Sequence, residues 1–202
     1  MVETGSLEVL NILANASATI AEGEVLQLTV SRDISTDEEI YLKVIRGKTA
    51  ALFSAATQVG AVISGSEETI INALYKYGDA LGVAFQIVDD LLDVVGDSRI
   101  IGKNNGDDFR ERKLTLPFIK AISSCNQNEK DFWKRTIEKG DQTSEDFNTA
   151  LELMQKYEAI ERTRLDALKW AKTAKNSLDA VPDNDIKIIL TALADYVVDR
   201  VK

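Results

Sequence analysis

The residues best suited to chemistry are three aspartates, Asp89, Asp90 and Asp93, spaced D-D-x-x-D at the end of an apolar stretch. On a helix turning ~100° per residue, Gly82, Gln86, Asp89, Asp90 and Asp93 fall within roughly a third of the circumference. Like charges at i and i+4 cost roughly a few tenths of a kcal/mol when solvated, and more where the edge lines a cleft. A hard divalent cation offsets that cost. Mg²⁺ takes carboxylate oxygen, keeps several waters and shares its remaining positions with substrate phosphates. The same spacing also reads as a solvated acidic face near a helix end.

Two lysines bear on the choice. Lys48 and Thr49 follow Gly47 on another helix, on the side of Val44, Ile45 and Leu52, so an ammonium and a hydroxyl approach the interior there. Lysine on such a face also reads as a snorkelling side chain. Lys103, in the loop after the acidic helix, also reads as simply solvated. Together, a carboxylate edge and two lysines on neighbouring elements form the set that a magnesium diphosphate needs, with metal on one side and ammonium on the other.

The elements that must position these groups are helical. Only two prolines and eleven glycines punctuate 202 residues, too few for an all-β chain, and 45% apolar content can fill a core. Leu7, Leu10, Leu13, Ile20 and Leu28 predict a buried helix from Ser6 to Val30. Thr36-Asp37-Glu38-Glu39 is a capping-box pattern that opens a second helix, running to about Ser64. A third runs from Glu67 to about Val95, with Leu74, Leu81, Phe85, Val88 and Leu92 as its core stripe. A polar loop from Gly96 to Gly106 follows, and Thr115-Leu116-Pro117 signals the next helix start. Shorter helices are expected near 127–139 and 143–155 and a longer one from Tyr157 to Leu178. Val181-Pro182-Asp183 then precedes a last amphipathic helix from Asp185 to Val201. With no repeat and no linker, residues 1–202 read as one all-α domain.

Composition narrows the function classes. The absence of histidine and the single cysteine, Cys125, remove His-based acid–base chemistry, the usual zinc sites and an internal disulfide, so any metal is held by oxygen. A net charge of -9 argues against nucleic acid or an anionic membrane surface as the main partner. No run approaches the ~18 apolar residues of a spanning helix and no basic-then-apolar leader opens the chain, so the expected location is the cytoplasm.

The segment from Gly82 to Asp93, GVAFQIVDDLLD, followed by Gly102 to Pro117, GKNNGDDFRERKLTLP, resembles the second aspartate-rich region of the trans-isoprenyl (polyprenyl) diphosphate synthases. Glu22 to Gln27, EGEVLQ, is similar to that family's Gly-(Glu/Gln)-x-x-Gln/Asp helix, and Val44 to Phe53, VIRGKTAALF, to its Lys-Thr motif. The wording is most similar to the long-chain octaprenyl and decaprenyl synthases, which make quinone side chains.

The resemblance implies the isoprenoid-synthase helical bundle, a homodimer or higher self-association, and Mg²⁺ as cofactor. It implies that Asp89, Asp90 and Asp93 bind the metal, that Lys48, Thr49, Gln86 and Lys103 hold the allylic diphosphate, and that Asp89, Asp90 and Lys48 are catalytic. The implied reaction joins isopentenyl diphosphate to an allylic diphosphate. The family's first DDxxD, the Arg-Arg pair after it and its Gly-Lys-(x)-Arg segment are missing, so the expectation is an N-terminally truncated synthase, weak or inactive alone. The alternatives are a non-catalytic or regulatory partner subunit of a heteromeric prenyl synthase and a generic helical interaction module. One departure is local: Arg112 stands where the family commonly has glycine.

Overall fold

The structure, a computed structural model, describes residues 2–96 and 105–201. Among them there is no strand, and no helix is long and apolar enough to cross a membrane. Helix α1 (Leu7–Val30) is capped by the Ser6 hydroxyl, which accepts from the Val9 amide. Helix α2 (Glu38–Ile45) passes without interruption through a π-helical turn (Arg46–Ala50) into α3 (Ala51–Ile63). Then come α4 (Glu68–Val95), the one-turn α5 (Asp107–Arg110), α6 (Leu116–Ser124) and α7 (Gln127–Trp133) with a π-turn behind it (Lys134–Glu138). Helices α8 (Asp146–Lys156), α9 (Ala159–Ser177) and α10 (Asp185–Asp199) complete the chain.

Helix α4 is the axis, with α3 and α9 packed along it. Its buried residues include Tyr77, Leu81, Ala84, Ile87, Val88, Leu91 and Val94, whereas Leu74, Phe85 and Leu92 of the expected stripe are only partly buried. Because neighbours cover α4 on several sides, a wheel that assumes one apolar face under-reads it.

Two further expectations are corrected. Helix α1 buries only Val9, Ala16 and Gly23, one residue per heptad, while Leu7 and Leu28 are 82% and 70% exposed. It docks through a line of small residues rather than a leucine stripe. A Cβ on Gly23 would lie 2.5 Å from the Lys48 amide nitrogen and 2.7 Å from the Gly47 carbonyl carbon, so side-chain-free backbone is the contact surface. The cap of α2 is Asp37, whose carboxylate accepts from the Ile40 amide at 2.9 Å. Thr36, expected in that role, instead donates its hydroxyl to the Val30 carbonyl at 3.3 Å and closes the α1–α2 corner.

The π-turn explains a third correction. Tyr41, Val44 and Ile45 are buried before it, Ala50 at its end, and Ser54, Ala55 and Val59 after it, while Leu52 is 56% exposed. One extra residue in the turn rotates everything downstream by ~100°, which carries Leu52 off the face that Val44 and Ile45 define. Helix α4 closes on this turn and on α3 through its own glycines. A Cβ on Gly82 would sit 2.6 Å from the Ala50 Cα, and one on Gly78 2.6 Å from the Phe53 carbonyl.

A second core lies beyond the C-terminal end of α4. Phe109 of α5 is buried among Phe118, Trp133 and Phe147, with ring centroids 6.1, 6.4 and 5.8 Å away. Lys120 of α6 is buried but satisfied, 2.8 Å from both Glu38 and Asp166, and so pins the start of α2 to α6 and α9. Helix α5 ends in a Schellman motif: the Arg112 amide donates to the Phe109 carbonyl (3.0 Å) and the Lys113 amide to the Asp108 carbonyl (2.9 Å). Arg112 occupies the left-handed position at φ 59°. The loop therefore keeps the geometry that a glycine would adopt freely, with an L-residue held in it.

Arg112→Gly should relieve a left-handed conformation that costs roughly 1–2 kcal/mol, partly offset by the added freedom of glycine in the unfolded chain. The net expectation is a gain of about 1 kcal/mol in unfolding free energy, read from the urea midpoint. An unchanged or lowered midpoint would count against the strain.

Candidate active site

The three aspartates end up in three environments. Asp89 is exposed. Asp90 is 4% exposed and both of its oxygens are taken: Tyr41 Oη donates to Oδ2 at 2.6 Å and Gln86 Nε2 to Oδ1 at 2.8 Å. Asp93 is half-buried and accepts from the Asp107 and Asp108 amides at 3.1 and 3.2 Å, so its carboxylate holds the first turn of α5. Among the described residues, no three His, Cys, Asp or Glu side chains form a ready-made metal cage.

The network extends into the π-turn. Thr49 Oγ1 donates to Gln86 Oε1 at 2.8 Å, so a continuous path runs Thr49–Gln86–Asp90–Tyr41 between the turn, α4 and α2. Lys48, in the same turn, donates to Gln27 Oε1 at 2.7 Å and pairs with Glu24 at 3.1 Å, both on α1. Its ammonium is thus gripped rather than snorkelling freely. Gln27, Tyr41, Lys48, Gln86, Asp90 and Lys113 line one cleft. Thr115 also lines it, and its hydroxyl is the one buried side-chain polar atom without a partner among the described residues. Lys103 lies outside the described residues.

Electrostatics follow from burial. Desolvation pushes Asp90 up to about 7, opposed by the hydrogen bonds from Tyr41 and Gln86 and assisted by the charges of Asp108 and Asp89. Desolvation and the nearby Asp93 raise Asp108 to about 6 despite the counter-charge of Lys113, and desolvation also raises Asp93. These carboxylates repel one another with too little positive charge between them, the condition that a divalent cation relieves. The donor set also fits Mg²⁺, which takes one or two carboxylates and completes its sphere with water and phosphate oxygen. Asp89 and Asp93 would be those donors.

Residues 1–154 match the family model described as "Polyprenyl synthetase". The chain belongs to the polyprenyl synthetase family. It is 37% identical to an octaprenyl diphosphate synthase of Haemophilus influenzae over 195 residues, 96% of this chain and 59% of that protein. A solved decaprenyl diphosphate synthase from Rhodobacter capsulatus superposes with TM-score 0.95 at 59% identity, over 100% of this chain and 62% of that one. A polyprenyl synthase from Caulobacter crescentus, solved with calcium and isoprenyl diphosphate, gives TM-score 0.93 at 46% identity, over 98% of this chain and 60% of that one. The chain thus spans about three-fifths of the length of these polyprenyl synthases.

Sequence reasoning missed several residues of this candidate site. Tyr41 is one heptad before Lys48 on the face of Val44 and Ile45, a signal that was available. Asp108 and Lys113 lie inside the segment that carried the resemblance, but only the Phe109 core and the Schellman turn bring Lys113 to the cleft, with Asp108 paired to it at 3.6 Å. Glu24 and Gln27 sit in the recognised EGEVLQ segment, and only the fold shows them bound to Lys48.

The Asp90 shift predicts a pH dependence whose sign is fixed. Asp90 keeps its proton to about 7 when folded, against an ordinary 3.8. Between those values the native state holds more protons than the unfolded one, so stability falls as pH rises across the window. In metal-free buffer the melting temperature should be lower near ~pH 8 than near ~pH 5, and Asp90→Asn should flatten the slope. A wild-type profile that rises across this range would refute the shift.

Proposed function

We propose that this chain carries the diphosphate-binding machinery of a magnesium-dependent trans-prenyltransferase that joins isopentenyl diphosphate to an allylic diphosphate, building long isoprenoids of the quinone side-chain type. One observation carries the reading: the Thr49–Gln86–Asp90 path ties the turn that bears the gripped Lys48 to α4, and Lys48, Gln86 and Asp90 line one cleft next to Asp89 and Asp93 in sequence. The names of the octaprenyl and decaprenyl relatives, and the calcium and isoprenyl diphosphate bound to the Caulobacter protein, support it.

In this reading Lys48, Thr49, Gln86 and Lys103 hold the allylic diphosphate, with Lys113 lining the same cleft. Asp89 and Asp93 are the oxygen donors for Mg²⁺, with the buried Asp90 behind them. When bound, the metal supplies positive charge to the departing diphosphate. The protein's own share is to keep donors aimed at the place where negative charge grows, in a partly water-excluded cleft where such donors act most strongly. Lys48 must exchange Glu24 for a diphosphate oxygen, a replacement of one anionic partner by another that keeps the ammonium paired.

The proposal extends to assembly and location. Residues 1–202 act as one helical unit. Leu7, Val25 and Leu28 expose apolar surface along one side of α1, the kind of patch that drives association into a homodimer or higher assembly in the cytoplasm.

Titration calorimetry with Mg²⁺ and inorganic diphosphate tests the site. Wild type should bind only when both are present, and Asp89→Ala and Lys48→Ala should each weaken binding roughly tenfold or more, a typical loss for one charged contact. Equal heats in wild type and Asp89→Ala would sink the reading. Labelled isopentenyl diphosphate with an allylic diphosphate then separates a transferase from a protein that only retains the ligand.

A further inference from the structure

We propose that Tyr41 is a positioning residue, which keeps Asp90 out of the metal's coordination sphere and, through Asp90 and Gln86, sets the π-turn that presents Lys48 and Thr49. The inference rests on the diphosphate-site reading above and divides the labour within the aspartate pair.

The geometry supports it in three steps. Tyr41 is buried and its one polar atom meets Asp90 Oδ2 at 2.6 Å, across 49 residues of sequence. The other oxygen of Asp90 is held by Gln86, whose amide oxygen receives Thr49. Asp90 would have to give up a short bond inside the protein to reach a cation, whereas its neighbour Asp89 is already in solvent. Adjacent residues on a helix point ~100° apart, so an aspartate pair naturally serves two directions, one outward to a ligand and one inward to a neighbouring helix.

The second step concerns the turn. A π-turn lacks the regular i→i-4 pattern and is easily annealed away, so its survival needs outside support. Gly23 and Gly82 support it from two sides by backbone contact, and the polar path from Tyr41 ties it to α4. Tyr41 itself sits one turn before the π-turn on the same continuous helix, so the path closes a loop: α2, across to Asp90, along α4 to Gln86, and back to Thr49.

The third step is selectivity of the effect. The deletion of one hydroxyl leaves packing intact, but it frees Asp90 to move and lets Gln86 swing with it. The consequence should appear at Thr49 and Lys48, not at the second core.

Tyr41→Phe is the test, with Leu153→Ala in the second core as a control of lowered stability. Tyr41→Phe should weaken inorganic diphosphate binding roughly tenfold or more, as for a lost hydrogen bond to a charged group, and leave the half-saturating Mg²⁺ concentration, read at saturating diphosphate, unchanged. Leu153→Ala should lower the melting temperature without that loss. Asp89→Asn, by contrast, should raise the Mg²⁺ requirement. Amide hydrogen exchange, read without ligand, should quicken across Arg46–Ala50 in Tyr41→Phe and not in α7 or α8. Wild-type diphosphate affinity in Tyr41→Phe, or unchanged exchange in the π-turn, would overturn the proposal. So would an Asp90→Asn variant that shifts the Mg²⁺ requirement as far as Asp89→Asn. If wild type binds no diphosphate, the functional reading falls, and the exchange result alone still decides the role of Tyr41.

Discussion

Everything at the site depends on how closely three stretches of backbone approach one another. The π-turn Arg46–Ala50 is wedged between α1 and α4, and neither approach tolerates a side chain at the point of contact. A Cβ at Gly23 would lie within 2.5 Å of the Lys48 nitrogen, and one at Gly82 within 2.6 Å of the Ala50 Cα. At such distances the neighbouring atoms are backbone and cannot yield. Close packing here does more than stabilise. It places Lys48 beside Gln27 and Glu24 of α1, and Thr49 beside Gln86 of α4.

Within that frame the acidic end of α4 is held in an unfavourable state. Asp90 and Asp108 are desolvated carboxylates, and Asp93 is half-buried with one amide of α5 on each of its oxygens. A fold with no use for these groups would gain stability from apolar residues in their place, since burial of charge without full pairing is costly. Desolvated, mutually repelling carboxylates beside a cleft with two lysines mark a candidate functional site.

The second core acts on this site from a distance. Phe109, clasped by three aromatic rings, fixes α5, and α5 turns its amides to Asp93 and its carboxylate at Asp108 towards Lys113. The Schellman turn at Arg112 then reverses the chain so that Lys113 and Thr115 reach the cleft. Residues far from any ligand thereby set the positions of those beside it.

Much of this was legible in the sequence because it rests on local signals. The helical class, the start of α6 at Thr115-Leu116-Pro117, the span of α4 and the acidic edge at Asp89, Asp90 and Asp93 all follow from spacing, capping and proline geometry. The motifs from Glu22 to Gln27, Val44 to Phe53 and Gly82 to Asp93 placed the chain in its family. Tertiary structure decided what periodicity cannot encode. A π-turn adds one residue to a register that a regular wheel assumes unbroken, so Leu52 faces outward. A helix that docks through glycine needs no leucine at the contact, so Leu7 and Leu28 are exposed although their spacing predicts a core. The division of the aspartates into an exposed, a buried and a capping carboxylate depends on partners 49 and 14 residues away in sequence, Tyr41 and Asp107. Sequence sets which atoms are available; the approach of separate helices sets which of them remain free to act.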